Sequence, residues 1–259
     1  MPRLTPAVMR ALDIIDLFVD KAPELSAAEI GEATGLPRTT VHELLGTLVH
    51  RGFLAKDNAG IYSLGVRALQ IGNAYSARFD MLGAATEVAR ETAITHGVTC
   101  SVAVLEESDV FYLAKVEGRE VIPLASSVGK RMPAHATGLG KMLLSGLGPS
   151  QLNRLYPTGR LEALMPNTIT DLADLKAELA RIRERGYATE SEESTPNAAC
   201  AALPVFNAAG AMVAAVSITV TTTRWGTEPE EHWVGIVRTA ATKLSSQLGA
   251  PAGQTEQSA

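Results

Sequence analysis

The sequence predicts an α+β protein in two parts. A small helix-rich unit ending in a hairpin comes first, then a larger unit of helices around a mostly antiparallel sheet. Three observations predict this. Residues 1–64 carry apolar positions at helical spacing, punctuated by capping signals, and close on two short β-rich runs around "DNAG". From residue 99 the pattern becomes alternating β-rich runs, "TCSVAVLEESDVFYLAKV", "CAALPVF" and "AMVAAVSITV". The length of 259 residues, 46% of them hydrophobic, suits one large or two modest cores.

In the first part, Thr5 caps a helix whose first position is Pro6, where a missing N–H costs nothing, and Val8, Leu12, Ile15 and Val19 recur at helical spacing. Ser26 and Glu29 form an S-x-x-E capping box for a short helix ending near Gly35. Pro37 opens a third helix with the apolar stripe Val41, Leu44, Leu45 and Leu48, and Gly52 lies just past its end. "FLAK" and "IYSL" then flank "DNAG" as a hairpin. Helix, helix–turn–helix and hairpin wing is the order of a winged helix-turn-helix, whose third helix enters a DNA major groove. The polar face of that helix carries Arg38, Thr39, Thr40, His42 and Glu43, and the wing adds Lys56 and Asn58. Arg38 suits a bidentate contact to guanine or a phosphate, and the threonines suit phosphates or base edges. A protein-binding module would use the same elements. The window 36–56 favours DNA, holding Arg38, Arg51 and Lys56 against Glu43 alone.

Residues 66–80 are expected to form a connecting helix, with Val66, Leu69, Ala74 and Phe79 among its apolar members, followed by a helix over 81–96. The run 99–116 is expected to be an antiparallel hairpin about an acidic turn, and "VIPLASSVG" a third strand. "HATGLGKMLL", residues 135–144, reads as a glycine-bearing loop opening a helix. Such an N-terminus offers free amides and partial positive charge to an anion. A long helix over 171–185 has the stripe Leu172, Leu175, Leu179 and Ile182; its Lys176, Arg181, Arg183 and Arg185 are expected on a solvated face. Two strands about "NAAG" and a final helix from about Glu228 to Leu248 complete the unit, and residues 250–259 are expected to be a disordered tail.

Several function classes are disfavoured. The formal charge of −5 speaks against a nucleic-acid binder that is basic overall, so DNA contact must be local. No apolar run approaches the ~18 residues of a membrane span. Two cysteines do not make a disulfide scaffold, and a cytoplasmic protein is expected. "HATGLGKM" is not a phosphate loop: His135 stands where the first glycine belongs, and Met142 where a hydroxyl must meet Mg²⁺. His96, Cys100, His135 and Cys200 have no metal-ligand spacing, so neither metal nor cofactor is expected. Cys200 with His135 as base would make a hydrolase, but no third partner stands in a local signature, and a buried cysteine acting as a small apolar wall is commoner. "ESEES" is expected to be a solvated loop, with Glu190 as the exception.

"TPAVMRALDIIDLF", "LSAAEIGEATGLPRTTVHELLGTLVHRGFL", "GKRMPAHATGLGKMLL", "TITDLADLKAELARIRERGYATESEES" and "CAALPVFNAAGAMVAAVSITV" resemble, in order and spacing, the IclR family of bacterial transcription regulators over nearly the whole chain. The resemblance implies a winged helix-turn-helix at 1–65, a linker helix at 66–80, and a GAF-like effector-binding domain at 81–249. It further implies homodimers or dimers of dimers on operator DNA, and control by a small organic or aromatic acid or related carbonyl compound. Carried over by position, the effector site comprises Gly138, Leu139, Glu190, Ala198, Cys200, Ser217 and Thr219, with His135 and Thr137 beside them. Three departures stand out. Glu43 stands where arginine is frequent, Glu190 where aspartate is frequent, and Asn197 where glycine is frequent. The expected function is therefore an effector-controlled DNA-binding regulator and not an enzyme. The alternative is an enzyme or sensor using a Cys200/His135 pocket, with the N-terminal part as an interaction module.

Overall fold

The computed structural model describes residues 4–20, 22–76, 81–120, 122–124 and 126–251. The chain divides into two compact units, Met1–Phe79 and Asp80–Ala259.

The first unit contains α1 (Pro6–Asp20), β1 (Glu24–Ser26), α2 (Ala27–Thr34), α3 (Arg38–His50), β2 (Leu54–Lys56), β3 (Ile61–Leu64) and α4 (Val66–Ser76). Ser26 and Glu29 form the capping box, and Gly35 ends α2 in the left-handed region at φ 65°. Pro37 is the N-cap of α3 and not its first residue. The wing turns where Asp57 Oδ1 accepts the Ile61 amide, with Gly60 at φ 87°. The strand β1 was not expected. It pairs antiparallel with β3, giving the order β1–β3–β2. The helix α1 forms where expected but turns a different face inward. Ile14 and Phe18 are buried; of the expected stripe, Ile15 packs half-buried against the same core, whereas Val8, Leu12 and Val19 are exposed. Helical spacing admitted both stripes, and Ile14 and Phe18 pack with Ile30, Leu45 and Tyr62 in one small core. Of the expected connecting helix, Val66 and Leu69 are exposed; Phe79 lies outside the described residues, and the Ala74 side chain is not described.

The second unit opens with α5 (Met81–His96), followed by β4 (Thr99–Glu106) and β5 (Asp109–Val116). Next come β6 (Arg131–Pro133), a 3-10 turn at Ala134–Ala136, α6 (Gly138–Ser145), α7 (Pro149–Leu155) and α8 (Leu172–Arg185). The chain closes with β7 (Ala188–Ser191), β8 (Ala198–Phe206), β9 (Met212–Thr221), α9 (Thr222–Trp225) and α10 (Glu230–Gln247). Six strands pair in the order β6–β5–β4–β9–β8–β7, with every neighbouring pair antiparallel. The expected strand at "VIPLASSVG" does not form among the described residues; "RMP" supplies it, Arg131 pairing with Phe111 and Pro133 with Asp109. Pro123 has no N–H to give a ladder. Pro204 sits within β8 but beyond the stretch that β7 pairs, so its missing donor leaves no ladder bond unmade on that side. Of the expected tail, residues 252–259 lie outside the described residues.

The sheet has two unlike faces. Val102, Ala201, Val216, Ile218 and Val220 pack with α5 and α10. Ala103, Ala202 and Ala215 face α6, α7 and α8. Alternation along β9 sends Ile218 and Val220 to the first core and Ser217 and Thr219 to the opposite face.

Candidate functional site

On the first unit, the outer face of α3 presents Arg38, Thr39, His42 and Glu43 exposed and Thr40 half-buried. Gly46, Thr47 and His50 continue this exposed face and were not anticipated. Their signal was available: they lie at helical spacing from Thr39 and Glu43. Thr47 Oγ1 donates to the Glu43 carbonyl at 2.9 Å. On the wing, Lys56 and Asn58 are exposed, and the Lys56 ammonium lies 5.4 Å from the centre of the Tyr62 ring.

In the second unit, one face of the sheet and the start of α6 line a cavity of about 30 Å³. Its floor follows from strand register. Glu190 opposes Cys200, and Cys200 opposes Thr219, so these three form one row across β7, β8 and β9. Ala202, Ser217 and Ser101 form the next row. Thr137, Gly138 and Leu139 close one side, and Leu124 and Ser126 of the β5–β6 connection close another. Tyr112, Met132, Ser194, Thr195 and Ala198 complete the lining. Of the sequence-derived candidates, Thr137, Gly138, Leu139, Glu190, Ala198, Cys200, Ser217 and Thr219 all line this one cavity. Ser101, Tyr112, Ser126, Ser194 and Thr195 are additional hydroxyl-bearing walls; Ser101 pairs in register with Ser217, and Ser194 donates to Glu190, both anticipated residues.

His135 is not a lining residue. It is buried, its Nε2 lies 2.8 Å from the Glu162 carbonyl, and its ring meets Tyr156 edge-on. The Cys200 thiol is raised well above its ordinary range, first by burial and then by Glu190. A thiol so disfavoured as thiolate, with the histidine engaged elsewhere, is not an activated nucleophile. Instead Cys200 packs directly against the start of α6. A Cβ on Gly138 would sit 2.5 Å from the Cys200 sulfur. Gly140 is required by packing, because its Cβ would lie 2.1 Å from the Ala134 carbonyl oxygen. Thr137 caps the helix, its hydroxyl accepting the Gly140 amide at 3.0 Å.

The "ESEES" stretch is not a solvated loop. Glu190 and Glu193 are both buried, and Glu193 pairs with Lys141, which is 2% exposed within α6. Glu190 Oε1 accepts the Ser194 hydroxyl at 3.0 Å, while its Oε2 is buried with no hydrogen-bond partner among the described residues. Burial pushes the Glu190 carboxyl up to about 7, with Glu193 adding to the rise and Ser194 and Lys141 opposing it. Asn197 stands at φ 57°, the left-handed conformation that asparagine tolerates better than most residues, and its amide reaches Glu192 Oε1 at 2.8 Å. It thereby meets the backbone demand that a glycine would meet. The basic residues of α8 lie toward solvent as expected, Arg181 and Arg183 exposed and Lys176 and Arg185 half-buried, and they are paired there: Arg181 and Arg185 bind Glu178, Arg183 donates to the Ser145 carbonyl and Lys176 to Asn153.

Comparison with known proteins places this geometry in context. Residues 7–58 match the IclR helix-turn-helix domain, and residues 73–246 match the C-terminal domain of the bacterial transcriptional regulator IclR. The HTH-type transcriptional regulator XynR of Escherichia coli is 34% identical over 95% of this chain and 98% of its own length. BhcR of Paracoccus denitrificans is 35% identical over 84% of this chain and 78% of its own. Among solved structures, IclR of Thermotoga maritima superposes with a TM-score of 0.76 at 27% identity, covering 93% of this chain and 98% of that one. An IclR homolog from Microbacterium hydrocarbonoxydans complexed with 4-hydroxybenzoate superposes at 0.85 with 25% identity, again over 93% and 98%.

Proposed function

The chain belongs to the IclR family of bacterial transcriptional regulators, and from that premise we propose that a small carboxylic acid, bound in the cavity at the start of α6, controls its binding to operator DNA. The observation that carries this reading is the cavity itself: a small, hydroxyl-lined space at a helix N-terminus, in a chain whose other unit is a helix-turn-helix. An effector carboxylate is received by the hydroxyls of Ser217 and Thr219 and the amides at the start of α6. Size favours the smallest acids. An apolar cavity of about 150 Å³ takes benzene, so a space of about 30 Å³ admits an aromatic acid only if its walls part.

Operator DNA is read by the outer face of α3, with Arg38, Thr39, Thr40, His42 and Glu43 toward the bases and Lys56 and Asn58 of the wing toward the backbone. Symmetric sites call for paired helices. The exposed apolar positions Leu4 before α1, Val8, Met9 and Leu12 in its first half, and Val66 and Leu69 on α4, suit pairing with a second copy. Occupancy of the cavity then shifts the population of pairs competent for the operator.

Gel shifts against the DNA upstream of the gene, with and without candidate acids, test this. The expected result is a salt-sensitive complex that Arg38→Ala and Thr39→Ala each weaken by about 1–3 kcal/mol, and that at least one small acid shifts. A complex indifferent to both substitutions, with normal circular dichroism, removes α3 from the proposed role.

A further inference from the structure

We propose that Glu190 meets the effector's carboxylate as a protonated acid, so that each effector entering the cavity brings one proton onto Glu190. This rests on the effector reading above and deepens it. The geometry is that of an excess buried acid. Glu190 lines the cavity, its Oε1 is held by Ser194, and its buried Oε2 has no hydrogen-bond partner among the described residues. Among the described residues no lysine, arginine or histidine lines the cavity.

The charged and titratable groups around Glu190 do not supply the missing partner. Lys141 of α6 is taken by Glu193, and Glu178 and Arg185 of α8 bind each other. Cys200 of β8 and Tyr112 of β5 are held neutral, chiefly by burial. Glu230, at the start of α10, accepts the Tyr187 hydroxyl. Lys115 of β5, whose strand also borders the cavity, donates to the Ser126 carbonyl and lies beside Glu117. A carboxylate placed in this cavity therefore finds neutral hydroxyls, a helix N-terminus and Glu190. Two carboxylates sharing a buried site do not both ionise, and one keeps a proton. Protonated, Glu190 turns from acceptor to donor, and its carboxyl O–H completes the ligand's hydrogen bonding. The proton comes from solvent, at modest cost near neutrality because burial already holds this carboxyl at about 7.

The pH dependence has a definite sign. Below pH 7 Glu190 is already protonated, and binding is flat until the ligand's own carboxylate titrates. Above pH 7 the proton must be taken up, and affinity falls about tenfold per pH unit.

Calorimetry on the full chain tests this with acetate, glycolate and pyruvate as probes, from pH 6 to pH 8.5, in buffers of different ionisation enthalpy. The expected result is proton uptake near zero at pH 6, rising toward one per ligand at pH 8.5, with a matching loss of affinity. Glu190→Gln, which keeps a donor and cannot titrate, should retain binding and lose both the pH dependence and the proton uptake. Wild-type binding at pH 8.5 with no proton uptake and undiminished affinity overturns the proposal, whether or not the variant folds. So does tight binding of ethanolamine or glycerol where all three carboxylates fail at pH 6. In that case a gel shift responsive to the bound compound leaves effector control standing, and only the acid pairing falls.

Discussion

Gly138 and Cys200 illustrate how much one contact decides. The glycine looked like an opening toward a ligand, yet its first demand is the sulfur that would lie 2.5 Å from any Cβ placed there. Gly138→Ala should therefore destabilise the second unit by about 1–3 kcal/mol even without ligand, as overpacking does. Cys200→Ala should recover much of that loss in the double variant, because it removes the atom the new methyl strikes. Urea unfolding of the four proteins measures the coupling, and additive effects would contradict the contact. Glu190 gives a second test. Its folded carboxyl is raised from 4.5 to about 7, so its contribution to stability is full below the ordinary carboxylate range and is lost as pH rises through about 7. Glu190→Gln should thus raise the melting temperature relative to wild type more at pH 8 than at pH 5, with a differential on the order of 3 kcal/mol. Melting curves at the two pH values decide it, and an equal difference at both would mean that the carboxyl is not displaced.

At the scale of elements, α3 carries a glycine in the middle of its exposed face. Among the described residues, and apart from the helix's own neighbouring backbone, nothing lies within 4 Å of a Cβ built on Gly46. A glycine inside a helix costs about 1 kcal/mol relative to alanine, so Gly46→Ala should stabilise the first unit by about 0.5–1 kcal/mol. If this face is apposed to DNA, the same change should weaken operator binding, since the added methyl stands between helix and groove. Denaturant melts and gel shifts on one preparation separate the two effects. Improved stability with unchanged DNA affinity would place Gly46 outside the contact. The helix α6 shows the opposite economy: Thr137 caps it, Cys200 packs against its first residue, and Lys141 ties its flank to Glu193.

At the scale of the molecule, each unit has its own core: Ile14, Phe18 and Leu45 in the first, and two layers about the six-stranded sheet in the second. Large apolar side chains nevertheless remain exposed in the first unit, Leu12 at 49% and Leu69 at 64% among them. If these pair two copies, Leu12→Glu and Leu69→Glu should lower the mass measured by light scattering to that of a single chain, with circular dichroism unchanged. Operator affinity should fall with them, because one recognition helix no longer brings the other. A monomeric wild type, free and on DNA, would set this pairing aside.

The sequence by itself determined the parts that depend on neighbours in the chain. The capping box at Ser26 and Glu29, the left-handed glycines after α2 and α8, the Asp57 turn of the wing and the alternation along β9 are local rules read within a few residues. The family resemblance added eight residues that line one cavity, although they come from four separate segments. Tertiary structure decided what local pattern leaves degenerate. Two stripes of α1 satisfied helical spacing, and only packing against Ile30 and Leu45 chose Ile14 and Phe18. The brief strands β1, β6 and β7 carry too few residues for a period, and exist because β3, β5 and β8 offer an open edge. The Lys141–Glu193 pair spans fifty-two positions, and His135 turns to Glu162 instead of the cavity. Such contacts join residues far apart in the chain, and the strength of each depends on a burial that only the finished fold creates.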